Sequence, residues 1–251
     1  DEATILTLYE SGIDSLFNFP ASDSTGRFVK AALAGKSSTV SAAQADWNAR
    51  IRAVSPASVD APFVSNHDMA RARGMLRSKV PNEKAAALLY LLMPGVPTVY
   101  YGEELGMSGS GSDENKRLPM VWSSDAATQC KAPAAADQAQ RLTDGVAEQD
   151  SDPDSLLNWY RQLIALRNLA PELTRGEMTA LDGGNDAICA YTVTDAGSTV
   201  AIISNVSQKD TLTVSLDVLR GAELLGGIGG AAFADSTANL PPLSGIIVRL
   251  P

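Results

Sequence analysis

Through residue 174 the chain alternates between stretches with apolar residues at helical spacing and short runs rich in β-branched and aromatic residues. Ile5, Leu6, Leu8 and Tyr9 mark a short helix closed by Gly12. Residues 14–20, Asp-Ser-Leu-Phe-Asn-Phe-Pro, alternate polar and apolar and stop at proline, which predicts a strand. Helices are predicted over 25–33 and 41–54, the second capped by Ser41, with Trp47, Ile51 and Val54 on one face. A second strand, Phe63 to Ser65, ends abruptly in three adjacent polar side chains, Asn66, His67 and Asp68. Asn82 is the expected cap of a helix from Glu83 to Met93, apolar almost all round and so buried. Pro94-Gly95 ends that helix, and Thr98 to Tyr101 is the third predicted strand. A β-α-β-α-β order with connections of this length predicts parallel strands.

The next stretch, 105–153, lacks clear periodicity and is rich in Gly, Ser, Asp and Ala. Its length predicts a functional loop over the active face. Leu156, Trp159, Tyr160, Leu163, Leu166 and Leu169 then form the apolar side of an amphipathic helix from Ser155 to Leu169, stopped by Pro171. After 174 the period becomes alternating. Strands are predicted at 187–193, 199–204, 211–216, 222–225 and 246–250, with Gly226 to Gly230 as a loop. Short strands at this spacing predict a small antiparallel sandwich. The expected division is therefore 1–174 and 175–251.

Composition narrows the function. A chain of 251 residues, 45% hydrophobic, can bury a sizeable core. Its net charge of −9 argues against nucleic acid or an anionic membrane as partner and suits a neutral ligand. No apolar run approaches membrane-spanning length. Cys130 and Cys189 match no metal spacing and give no disulfide framework, so the redox compartment stays open.

The candidate chemistry lies at Asn66-His67-Asp68, which holds the only histidine. A strand delivering polar groups at its C-terminal end is how an α/β barrel builds its active face. A solvated turn would look the same from this tripeptide alone. Pro97 to Glu104 repeats the design, a short strand-like run ending in Tyr, Gly and carboxylates. Glu103 and Glu104 are adjacent, point in different directions and brace a loop rather than form a catalytic pair. One of Tyr100 and Tyr101 is expected in the core and the other at the site rim. Lys116 and Arg117 are read as loop solvation. Trp122 either stacks on a sugar or packs under the loop.

Phe63 to Asp68 (FVSNHD), Pro94 to Met107 (PGVPTVYYGEELGM) and Asp113 to Trp122 (DENKRLPMVW) resemble the α-amylase family, glycoside hydrolase family 13. Residues 14–20 resemble the sixth barrel strand of its bacterial starch-degrading members. The resemblance implies an α/β fold: the C-terminal part of a (β/α)8 TIM barrel, strands six to eight, followed by a small antiparallel β-sandwich domain. It implies retaining hydrolysis or transfer at α-glucosidic bonds of α-glucans or malto-oligosaccharides. Such chemistry sets a carboxylate nucleophile about 5–5.5 Å from a carboxylic acid. Asp68 matches the family's transition-state-stabilising Asp, and His67 its sugar-binding histidine. Arg71 matches a common arginine expected to pair with Asp68 and hold it ionised.

The stretches that carry the nucleophile Asp and acid/base Glu in relatives have no counterpart, and Glu2 stands in the wrong context for that acid. The chain opens Asp1-Glu2-Ala3, which predicts a processed product or fragment, inactive by itself. A second chain supplying the N-terminal half, or self-association, would complete the barrel. The alternative is a non-catalytic amylase-like scaffold for glucan binding or protein interaction. No cofactor and no metal are expected. An extracellular or cell-envelope place is expected, although oligosaccharide-specific members often stay inside cells.

Overall fold

The computed structural model describes every residue except Arg141. Helix α1 (Glu2–Tyr9) leads to strand β1 (Ser15–Phe17) and a 3-10 turn at Phe19–Ala21. Helices α2 (Arg27–Ala34) and α3 (Ser38–Val54) follow, then strand β2 (Val59–Ala61). β1 and β2 run parallel, with Ser15 opposite Val59 and Phe17 opposite Ala61. Tyr9 locks α1 to this pair. Its hydroxyl donates to the Val59 carbonyl at 2.9 Å and accepts from the Leu16 N–H at 3.0 Å. Burial pushes this phenol up to about 12.

Several sequence expectations shift. The strand expected at Phe63–Ser65 closes earlier, at Ala61, and residues 62–66 run on without regular pairing. Helix α3 begins at Ser38, leaving Ser41 inside it rather than at its cap. Val54, expected on the apolar face, is exposed where the helix ends. After a short helix α4 (Ala72–Met75), helix α5 spans Val80–Leu92, so Asn82 is not its cap. Pro81 fits the first turn, where no N–H partner is needed. The Asn82 amide instead donates to the Leu76 carbonyl and accepts from Gln208.

The third expected strand is not one. The Val96 N–H donates to the Asp60 carbonyl and the Thr98 N–H to that of Pro62, so the run lies beside β2. Pro62 has no N–H to return to the Val96 carbonyl between those two bonds, and the ladder lapses. Gly95 permits the approach, with φ +112° and an added Cβ falling 2.1 Å from the Asp60 carbonyl oxygen. Gly95→Ala is expected to destabilise the chain by about 2–4 kcal/mol, read as a lower urea midpoint at unchanged slope.

The long stretch after residue 105 is not purely loop. It carries short helices α6 (Asp113–Lys116) and α7 (Val146–Ser151) over a small core of Leu105, Met107, Val121 and Leu157. Helix α8 (Leu156–Asn168) is as expected, with Ser155 accepting from the Asn158 N–H as its cap. Leu169, assigned to its apolar face, is exposed beyond the last turn. Arg167 on α8 donates to the carbonyls of Leu91, Met93, Gly95 and Leu173, satisfying the C-terminal end of α5.

After helix α9 (Glu172–Arg175) come β3 (Glu177–Leu181), β4 (Ile188–Asp195), β5 (Ser198–Asn205), β6 (Leu212–Ser215), β7 (Glu223–Ile228), β8 (Ala232–Ala234), β9 (Thr237–Leu240) and β10 (Ser244–Arg249). They form an antiparallel sheet in the order β3-β4-β5-β10-β7 and a smaller one, β6-β9-β8. Part of the expected glycine loop, Gly226 to Ile228, is strand. A side chain at Gly226 would press on Leu166 and Leu169, so the absence of one lets α8 lie against β7. Strand alternation divides the larger sheet cleanly. Cys189, Tyr191, Val193 and Ile202 join the core formed with α5 and α8. Ile188, Ala190, Ile203 and Ile246 join Val214, Ala238 and Leu240 of the smaller sheet. The larger sheet is thus buried on both faces.

Candidate functional site

His67 and Asp68 lie just past the C-terminal end of β2, where the chain turns. The Asn66 side-chain oxygen accepts from the Asp68 N–H at 2.9 Å, and the Asn66 carbonyl from the Met69 N–H at 3.3 Å. Asparagine favours this local turn because its side chain can stand in for a backbone acceptor. The result is two outward side chains, 55% exposed for His67 and 64% for Asp68, with His67 Nε2 3.3 Å from Asp68 Oδ1.

The expected Arg71–Asp68 pair does not form. Reach across three residues requires a helix, and Arg71 stands before α4 in extended conformation, φ −63° and ψ 148°. Its side chain is turned inward and the residue is 2% exposed. The guanidinium sits 4.7 and 4.5 Å from the ring centroids of Tyr100 and Tyr101 and donates to the Tyr101 carbonyl at 2.6 Å. Burial lowers its pKa, and the two tyrosines offset part of that.

Arg117, not Arg71, approaches Asp68, with Nη2 3.6 Å from Oδ1. Lys116 Nζ donates to the Asp68 carbonyl at 3.0 Å. Both cations also meet Asp113, at 3.1 Å from Lys116 and 3.4 Å from Arg117. Lys116 and Arg117 hold the Asp113 carboxyl below the usual range. Lys116 and Arg117 are the site residues that sequence reasoning passed over as loop solvation. The available signal was local, Asp113 three and four residues before two cations, and it says nothing of a contact with residue 68.

Ion pairs this exposed are screened by solvent and do not hold the segment in place. Hydroxyls do so more firmly. Tyr100 donates to the Lys116 carbonyl at 3.0 Å and Tyr101 to the Leu118 carbonyl at 2.7 Å. Tyr100 is half-buried and Tyr101 exposed, and both clamp the Lys116–Leu118 segment. Trp122 is half exposed. Glu2 is engaged by Arg27 and Arg50.

Behind the turn, Glu103 is 5% exposed and braced from three sides. It accepts from Ser65 Oγ at 2.9 Å, Tyr90 at 2.9 Å and Tyr160 at 2.8 Å. Burial raises its pKa to about 7 against the lowering effect of those three donors. Glu104 is raised by burial as well. Glu103 is closed to solvent, and Glu104 is half-buried. No group of three or more His, Cys, Asp or Glu side chains among the described residues is arranged to hold a metal ion. Chemically, the turn offers an anion for a developing positive charge and an imidazole for hydroxyls. It does not offer a second carboxylate facing the first across a bond.

The family model described as "Alpha amylase, catalytic domain" matches residues 4–176. "Alpha-amylase 3" of Dictyoglomus thermophilum is 27% identical over 76% of this chain and 39% of its own length. "Alpha-amylase SusG" of Bacteroides thetaiotaomicron is 34% identical over 59% of this chain and 22% of its own. Among solved structures, Eubacterium rectale Amy13B superposes with a TM-score of 0.91 at 32% identity, covering 100% of this chain and 51% of that one. The α-amylase from H. orenii gives 0.86 at 24% identity, covering 52% of its chain, a likeness of fold. The chain therefore spans about half the length of these structures and less of the two curated relatives.

Proposed function

The chain belongs to the α-amylase family, and from that premise we propose that it forms part of a retaining hydrolase of α-glucans or malto-oligosaccharides. In this reading residues 1–174 are the C-terminal part of a (β/α)8 barrel, with β1, β2 and the unladdered run at 96–98 beside β2, and 175–251 a β-sandwich domain. Asp68 stabilises the oxocarbenium-like transition state, and His67 donates to sugar hydroxyls beside it. The observation that carries the reading is the pair itself, exposed together on the turn that the chain reaches six residues beyond the end of β2. Arg117 takes the place beside Asp68 first expected of Arg71, while Arg71 and the two tyrosines fix the loop that brings Arg117 there.

Double displacement needs a nucleophile and an acid besides the stabiliser. Of the nearby carboxylates, Asp113 is tied to two cations, and Glu103 and Glu104 are turned inward. The reading therefore assigns those roles to a further stretch of polypeptide, in this chain's partner or a longer form of it. The unpaired edge of β1 is the place for it. Phe17 and Phe19 are exposed there and pack on Phe63, Phe19 edge-on and Phe17 tilted.

The pure 251-residue chain is expected to release no reducing sugar from maltoheptaose above a protein-free blank. Steady turnover by that species would refute the division of labour. Maltoheptaose binding by the chain alone that is indifferent to both His67→Ala and Asp68→Ala would instead favour a non-catalytic scaffold.

A further inference from the structure

We infer that Glu103 is a positioning residue for the His67–Asp68 turn, acting through Ser65; the significance for catalysis rests on the glucan-hydrolase reading, the geometry does not. The chain is poorly anchored between the end of β2 and the turn. Pro62 and Val64 each accept one backbone hydrogen bond, from Thr98 and Asp23. Among the described residues, Ser65 has no backbone partner for its N–H or its carbonyl. What fixes it is its side chain. Ser65 Oγ donates to Glu103 Oε2 at 2.9 Å, and the residue is 2% exposed.

The other carboxylate oxygen is held independently. Tyr90 on α5 and Tyr160 on α8 both donate to Oε1, at 2.9 and 2.8 Å. One side chain therefore refers the backbone immediately before Asn66 to two packed helices of the main core. A carboxyl group has the two oxygens this needs, one for the helices and one for the strand end. It follows a glycine in the left-handed region, Gly102 at φ +78°, which aims Glu103 inward while Tyr100 and Tyr101 face the site loop. A buried carboxylate is an unfavourable brace for packing alone, since burial disfavours its charge. Its geometry is explained by the two-sided link.

The test is residue-resolved amide hydrogen exchange on the full 251-residue chain, comparing wild type with Ser65→Ala, Glu103→Leu and Glu103→Gln. Ser65→Ala removes the link and leaves both tyrosines on Glu103. It is expected to cut protection of the Asp68 and Met69 amides by about tenfold, with α5 and α8 amides unchanged. Glu103→Leu is expected to do the same or worse. Glu103→Gln can accept both tyrosine hydroxyls and donate to Ser65 Oγ, and should restore protection to within about threefold of wild type.

Wild-type protection at Asp68 and Met69 in Ser65→Ala would overturn the proposal and leave Glu103 as a brace between helices. So would a loss spread evenly over α5 and α8, or a failure of Glu103→Gln to rescue a Glu103→Leu chain that still folds. No substrate enters this measurement, so failure of the glucan reading leaves its result standing, and the reverse.

Discussion

If the proposed glucan-hydrolase role is right, Asp68→Asn in the complete enzyme is expected to lower kcat on a maltoside by at least about a thousandfold, with KM changed by less than about tenfold. The substitution keeps size, shape and the accepting oxygen toward His67 and removes the negative charge. A charge that matters only as the sugar becomes cationic strengthens the transition state over the ground state, so its loss falls on kcat. Asp68 is 64% exposed and contributes little to the fold, so the variant should melt as wild type does. Direct binding and kinetics are the paired measurements. If the Asp68→Asn enzyme retained near-wild-type kcat, Asp68 would have no part in the chemistry, whatever became of affinity.

The second large effect concerns pH. Of the four almost wholly buried acids, Asp60, Glu83, Glu103 and Glu172, two are raised far from their ordinary values, Glu103 and Asp60. Asp60 on β2 accepts from Trp47 Nε1, Asn18 and Gln44, and burial still raises its pKa from 3.8 to about 6. Glu103 is raised from 4.5 to about 7. A raised acid favours folding in its protonated form. Its contribution is full below the unfolded value and is lost as pH rises through the folded one. For these two groups the window runs from about pH 4 to about pH 7. Each shift corresponds to about 3 kcal/mol, a large part of ordinary domain stability.

Glu83 and Glu104 are raised too and act in the same sense. Glu172 opposes: burial pushes it up, but Ser198 and Arg249 bring it below the usual value. The expected balance is a higher urea midpoint at about pH 5 than at about pH 8, with Glu103→Gln removing roughly half of the difference. A midpoint that climbed with pH across that interval would contradict the burial argument for both groups.

How much is legible in the sequence follows the range of each interaction. Helix α8 is readable because Leu156, Trp159, Tyr160 and Leu163 repeat with the helical period and all are buried. β4 and β5 are readable as long, nearly continuous runs of apolar and β-branched residues, as a strand buried on both faces requires. β3, β8 and β9 escape such a reading, being three to five residues long with little apolar contrast. The third parallel strand fails on a single imino acid, Pro62, which faces a run whose composition is otherwise strand-like.

At the site, the tripeptide at 66–68 stands out in the sequence. Its neighbours do not. Proximity in sequence pairs Arg71 with Asp68, and the backbone turn carries it away to the tyrosines. Arg117, far along the chain, arrives because Tyr100 and Tyr101 hold two carbonyls of its loop. Such placement depends on tertiary closure, which no local pattern encodes.

The larger antiparallel sheet has one further implication. Because Tyr191 and Ile202 seal the helix layer while Ile203 and Ile246 seal the smaller sheet, the C-terminal region is a wall common to two rooms. Evolution could not swap it for an unrelated appendage as it could a module on a tether. Any replacement would have to present the same greasy pattern to α5 and α8, so sequence drift in those helices and in these strands must proceed in step.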